Sequence, residues 1–175
     1  MIRATTVVGV RTSEGAAIGC DGQVTLGDTI VKETARKVRK MYNGQVLVGF
    51  AGGAADALTL FEKFETKLDQ FKGNLQRATV ELAKEWRTDR YLRRLEAQLA
   101  VLNRDTAMLI SGDGEVLELE DGVVAIGSGG PYALAACRAM MKHCRFSPKM
   151  IVEEALQIAS SICVHTNDKF SIEIL

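Results

Sequence analysis

Apolar residues along this chain switch between two periods, and the switches mark its elements. From Thr5 the run TTVVGVRT is β-branched, SEG breaks it, and AAIGCD follows. That pattern predicts a hairpin closed by a short glycine-containing loop. GQVTLGDTIV, with two glycines, reads as a loop holding a strand fragment. KVRKMY alternates charged and apolar residues, Asn43-Gly44 is a strong turn signal, and QVLVGF is an apolar strand, so a second hairpin is expected. The period then lengthens. In AGGAADALTLFEKFETKL, Leu58, Phe61, Phe64 and Leu68 recur at three and four residues, which is one face of a helix. After FKGN, the stretch LQRATVELAKEWRTDRYLRRLEAQLAVL reads as a second long helix, bent or broken near Thr88-Asp89.

Strands return at Thr106. TAMLIS, GDG and EVLELE predict a third hairpin, and DGVVAIGSGG an apolar strand ending in glycines. Two more helices follow. PYALAACRAMMKH has Pro131 in its first turn, and SPKMIVEEALQIASSICVHT has Ser147 as N-cap and Pro148 as its first residue. FSIEIL closes the chain as an alternating strand. The order predicts an α+β fold with two antiparallel sheets, each covered by a helix pair, built from hairpins and not from βαβ crossovers. VLVGFAGGAADAL and VVAIGSGGPYALA share one plan, an apolar strand, two glycines and a helix, and form an internal pseudo-repeat.

Bulk composition narrows the function classes. A chain of 175 residues with 47% hydrophobic and 25% charged residues suits one globular domain, and its formal net charge of zero gives no general attraction to nucleic acid or membrane. No apolar run approaches the ~18 residues of a membrane span. Cys20, Cys137, Cys144 and Cys163 are scattered without a C-x-x-C pair and are expected as free thiols in a reducing, cytoplasmic setting. His143-Cys144 and the distant His165 have no zinc-ligand spacing.

The glycine-rich turns invite a phosphate, but neither G-x-G-x-x-G nor G-x-x-x-x-G-K-[ST] is present, and Gly129-Gly130 most simply makes a tight strand-to-helix turn. No G-x-S-x-G occurs, and His165 lies in an apolar helical pattern, so the usual hydrolase base is missing. One arrangement needs no histidine: a threonine whose own α-amine is the base. A free α-amine has a reference pKa near ~8 and is held beside the hydroxyl by covalent structure. The threonine must then be the first residue. The stub Met1–Ala4, followed by Thr5 and Thr6, fits that requirement.

TTVVGV, GCDGQVTLGDTIVK, ARKVRKMYNGQVLVGFAGGAADALTLFEKFE, ELAKEWRTDRYLRRLEAQLAV and AIGSGGPYALAA closely resemble the HslV family of bacterial proteasome-like peptidases, which work with the ATPase HslU. The resemblance runs from Thr5 to about Phe170. It implies an N-terminal-nucleophile hydrolase fold, a four-layer αββα sandwich, over residues 5–175, and a propeptide stub over 1–4. It implies a threonine endopeptidase with Thr5 as nucleophile, Thr6 being the alternative register. Lys37 matches the catalytic lysine, Asp21 its acidic partner, and Gly49 the oxyanion-hole position. Ser128 matches the serine that bonds the threonine amine. Met1 is followed by bulky Ile2, so release of the stub is expected at Ala4–Thr5, by Thr5 itself through an N-to-O acyl shift.

The resemblance also implies a sodium site of main-chain carbonyls at Ser160, Cys163 and Thr166, although the family pattern has glycine where Ser160 stands. It implies a homo-dodecamer of two stacked six-membered rings that encloses the threonines. HslU would deliver unfolded polypeptides and dock its tail near Lys32 and Arg39. Neither nucleic acid nor a membrane is an expected partner. RTDRYLRR (87–94) reads as a solvated helix face.

Overall fold

The computed structural model describes the backbone of residues 2–3 and 5–175, with side chains from Thr5 onward. Met1 and Ala4, and with Ala4 the expected cleavage point, lie outside the described residues.

A four-stranded antiparallel sheet is built from β2 (Thr6–Thr12), β3 (Gly15–Asp21), β11 (Val123–Gly127) and β12 (Phe170–Ile174), in the order β11-β2-β3-β12. A five-stranded sheet holds β6 (Val38–Met41), β7 (Val46–Ala51), β8 (Gln98–Leu102), β9 (Ala107–Ile110) and β10 (Val116–Glu118), in the order β10-β9-β8-β7-β6. Val7, Ile18, Leu47, Ala100, Leu102, Val124 and Ile126 fill the space between the two sheets. Helices α1 (Ala54–Gln70) and α2 (Leu75–Thr88) cover the outer face of the larger sheet, with Phe64, Leu82 and Trp86 against Val48, Phe50 and Leu99. Helices α3 (Gly130–His143) and α4 (Pro148–Ile162) cover the other, with Cys137, Ile151 and Leu156 against Val8, Val10 and Ala17. The inner strands β2, β3, β7 and β8 are therefore buried on both faces. That is why TTVVGV and VLVGFA read as continuous apolar runs and not as alternating ones. Each fully buried Leu, Val or Phe contributes about 1.5–3 kcal/mol, so both faces must be apolar for the sandwich to close.

The sequence expectations hold for the hairpins, the helix caps and the layer plan. The Ser147 hydroxyl accepts the Met150 N–H at 3.3 Å, as an N-cap should. Three readings change. Residues 24–32 are a small hairpin, β4 (Val24–Leu26) with β5 (Thr29–Lys32), turned by Gly27, and β1 (Ile2–Arg3) pairs with β4. Leu58 is 55% exposed and Leu60 takes its place on the buried face of α1. The long second helix stops at Thr88. The Asp89 carboxylate accepts the Tyr91 and Leu92 N–H groups at 2.8 and 3.0 Å, which starts a 3-10 turn over Leu92–Arg94 and frees Gln98–Leu102 to be a central strand. Those two amides hold the Asp89 carboxyl below its ordinary range. Alanine and leucine in QLAVL satisfy a helix pattern as well as a strand pattern, so periodicity alone could not separate them.

Candidate active site

Both halves of the pseudo-repeat deliver a glycine turn to the same place. β7 leads into α1 through Gly52-Gly53, and β11 leads into α3 through Ser128-Gly129. Thr5 lies between them at the start of β2. The second turn is tight against it. Gly127 has φ +85°, and a Cβ there would sit 1.9 Å from the Thr5 carbonyl oxygen; one at Gly129 would sit 2.1 Å from the Thr6 hydroxyl. These glycines are required by close approach to the two threonines, and the turn serves no phosphate. The Gln98 side chain on β8 accepts the Gly127 N–H at 3.3 Å and ties the turn to the larger sheet.

The expected residues divide by location. Thr5, Asp21 and Lys37 are all buried. The Asp21 carboxylate ends β3, where it takes four hydrogen bonds. Its Oδ1 accepts the Thr6 N–H at 2.9 Å and Lys37 Nζ at 3.0 Å; its Oδ2 accepts the Gln23 and Asn167 N–H groups at 3.0 and 3.3 Å. Lys37 Nζ also donates to the Gln23 carbonyl at 2.7 Å. Such saturation is what a fully buried carboxylate requires. The Ser128 hydroxyl donates to the Thr5 carbonyl oxygen at 3.4 Å, on the same residue as the amine where it was expected. Thr6, the alternative register, points away: its hydroxyl pairs with that of Thr166 at 2.7 Å in a buried contact. Thr6 therefore holds β2 to the α4–β12 connection.

Gly49 sits in mid-β7, opposite Val38 on one side and Ala100 on the other. A Cβ there would fall 2.5 Å from Val7 and 2.9 Å from Ile18, so this glycine is needed for the two sheets to pack. The glycine that reaches the cavity beside Thr5 is Gly52, three residues on, with φ +149°. That cavity has a volume of about 330 Å³. Its walls include Thr5, Lys37, Phe50, Phe61, Arg36 and Arg39, and among its described lining residues none is acidic. Phe50 and Phe61 meet edge to face at 6.0 Å, and the Arg39 guanidinium lies 4.4 Å over the Phe61 ring. Lys37 and Arg39 line the cavity together with Arg36, while Val38 is buried in the core and Lys40 is exposed. Lys32 is exposed at the end of β5.

Ser160 is in the last turn of α4 with helical backbone, and its hydroxyl donates back to the Gln157 carbonyl at 2.8 Å. Cys163 is the C-cap residue, and its carbonyl accepts the Thr166 N–H at 3.0 Å. A helix end leaves its last carbonyls without helical partners, and carbonyl ligation asks nothing of the side chain at Ser160. Among the described residues no cluster of His, Cys, Asp and Glu could hold a metal ion. Carbonyl oxygens alone fit a hard monovalent cation. All four cysteines are free, and no helix is long and apolar enough to cross a membrane among the described residues.

Sequence reasoning missed Gly52, Gln23, Gln98 and Asn167. Gly52 was visible in the GFAGG motif as a second glycine; the other three are ordinary polar residues whose roles arise only from the tertiary fold.

Comparison with known proteins places the chain in a family and matches its fold. The chain matches the Proteasome family, described as proteasome subunit, over residues 1–175. It is 55% identical over 173 residues to the ATP-dependent protease subunit HslV of Chlorobium luteolum, covering 99% of this chain and 95% of that protein. Among solved structures it resembles eukaryotic HslV from Trypanosoma brucei, with a TM-score of 0.92 and 45% identity, over 97% of this chain and 98% of that one. Thiobacillus denitrificans BPH in complex with epoxomicin shares the fold at 22% identity, with a TM-score of 0.76 over 97% of both chains.

Proposed function

Because the chain belongs to the proteasome family and is an HslV homologue, a proteasome-type threonine protease subunit of the ATP-dependent HslUV protease, we propose that its nucleophile is Thr5, exposed as an N-terminus once Met1–Ala4 is released. The single observation that carries this is the convergence of Thr5 and Lys37, the latter held by Asp21, on one cavity.

A peptide side chain enters the cavity walled by Phe50 and Phe61 and brings its carbonyl carbon to Thr5 Oγ. The hydroxyl proton passes to the Thr5 α-amine as the C–O bond forms. The positive charge of Lys37, fixed by Asp21 and the Gln23 carbonyl, favours the developing alkoxide. The oxyanion-hole role expected of Gly49 falls to the Gly52 N–H, because Gly52 borders the cavity and Gly49 is enclosed by Val7 and Ile18. The amine returns its proton to the leaving nitrogen, an acyl-enzyme remains, and water resolves it by the same path. Ser128, already bonded to Thr5, is placed to relay that proton.

In this proposal the carbonyls of Ser160, Cys163 and Thr166 hold sodium, which supplies a fixed positive charge at the end of α4 and no reaction step. Two hexameric rings stack into a dodecamer in the cytoplasm, unfolded polypeptide is the substrate, and Lys32 and Arg39 take the carboxylate of the HslU tail. Hydrolysis of a fluorogenic peptide, strong with HslU and ATP and weak without, tests the assignment; hydrolysis that persists in Thr5→Ala overturns it.

A further inference from the structure

We infer that Asn167, in the connection between α4 and β12, is a positioning residue for the Asp21–Lys37 pair. The inference rests on Thr5 being the nucleophile served by that pair.

Every polar atom of Asn167 except its carbonyl is accounted for, and three of its four bonds land on segments that carry a catalytic group. Its backbone N–H donates to Asp21 Oδ2 at 3.3 Å. Its side-chain oxygen accepts the N–H of Gly22, the residue after Asp21, at 3.0 Å, and the N–H of Lys169 at 3.2 Å. Its side-chain nitrogen donates to the Glu33 carbonyl at 2.9 Å. Glu33 begins the short segment that leads to Lys37. The two ends of one amide thus clamp the exit of β3 to the approach to β6. The clamp has little slack. The Gly22 carbonyl accepts the Ala35 N–H at 2.9 Å, and a Cβ on Gly22 would meet the Glu33 carbonyl oxygen at 2.1 Å.

Neighbouring contacts make the connection a platform for the site. The Gln23 side chain donates to the Val164 carbonyl at 3.1 Å, and Thr166 pairs with Thr6. Gln23 is the residue whose carbonyl receives Lys37 Nζ. An amide is the side chain that suits this place: it offers an acceptor toward Gly22 and a donor toward Glu33 within one rigid plane. An aliphatic residue satisfies neither, and a carboxylate only the first. Loss of the clamp lets Asp21 and Lys37 drift relative to Thr5, and a misplacement of an ångström is enough to slow chemistry while substrate binding persists.

The test compares Asn167→Ala, Asn167→Asp and Lys169→Ala in the full chain with HslU. Active sites are counted with a threonine-directed peptide epoxyketone. Asn167→Ala is expected to lower kcat per titrated site about tenfold, with KM within about twofold of the parent. The limiting rate of epoxyketone labelling should fall in parallel, and the half-saturating concentration should hold. Asn167→Asp, which keeps the acceptor for Gly22, should fall between, and it decides the matter if the alanine variant does not fold. Lys169→Ala removes only an exposed ion pair to Glu33 and should leave kcat per site unchanged. The inference is overturned if both Asn167 variants keep parental kcat per titrated site, or if Lys169→Ala loses as much. Failure of the nucleophile assignment looks different: the parent protein itself would take no label at Thr5.

Discussion

Asp21→Asn is the most searching single change, because it alters one atom and keeps the shape. The carboxylate is fully buried and accepts three backbone N–H groups, one on Oδ1 and two on Oδ2, in addition to its ion pair with Lys37 through Oδ1. An amide in its place keeps one acceptor oxygen. If that oxygen faces Thr6 and Lys37, the new NH2 is pressed against the N–H groups of Gln23 and Asn167; if it flips, the clash moves to Thr6 and Lys37. Either way two hydrogen bonds go, and a buried ammonium is left without its anion. Removing one partner of a buried pair costs about 3–5 kcal/mol. For a domain of this size each kcal/mol moves the melting point by about 2–4 °C, so a fall of about 6–20 °C is expected. Peptide hydrolysis should fall at least about tenfold, since 1.4 kcal/mol of misplacement at Lys37 already suffices. Calorimetry and a fluorogenic peptide assay on the assembled protein read both quantities. Melting within about 2 °C of the parent, together with parental hydrolysis, would refute the reasoning that this carboxylate organises the site.

Other expectations follow from particular contacts. Gly49→Ala should cost about 1–3 kcal/mol in thermal stability through overpacking against Val7 and Ile18 and keep kcat per labelled site, whereas Gly52→Ala, whose Cβ would meet Phe50 and the Glu96 carbonyl at φ +149°, should lose stability and lower kcat per labelled site as well; parental kcat per site in Gly52→Ala would contradict the division of roles. A P1 lysine peptide should be cleaved at least about tenfold more slowly than a P1 leucine peptide, because like charges on Lys37, Arg36 and Arg39 disfavour it in a cavity without an acid, and added salt should narrow the gap. Arg36→Glu should raise the lysine-to-leucine ratio of kcat/KM; an unchanged ratio removes Arg36 from specificity. In the native protein, alkylation should take Cys144 first, since it is exposed, and spare Cys137, whose thiol is pushed up to about 12 by burial and then by the charge of Asp121.

Much of this molecule was legible in the sequence, for physical reasons. Strand runs such as VLVGFA must be apolar on both faces, and helices such as PKMIVEEALQIASSI carry both a cap and a face. The pseudo-repeat held the most meaning, since its two glycine turns are what close on Thr5. QLAVL could not be placed because it fits both periods, and only the Asp89 turn decides that it leaves the helix. GQVTLGDTIV hid a hairpin whose residues are mostly exposed, so no buried face announced it. Within the site, a threonine behind a short stub could be picked out by its chemistry, while Asp21 and Lys37 came from the family resemblance. Gly49 and Gly52 could not be distinguished, because their difference is where the sheet ends. Asn167 lies more than 140 residues from Asp21, and nothing local in VHTNDK marks it.

The central claim is that Thr5 becomes the N-terminus and does the chemistry. Intact mass of active protein, before and after labelling with a peptide epoxyketone, tests it most directly. The expected result is a chain that begins at Thr5, gains one adduct per subunit at that residue, and loses hydrolysis in step with labelling. Active protein that still begins at Met1, or a Thr5→Ala chain that still hydrolyses peptide, would contradict it.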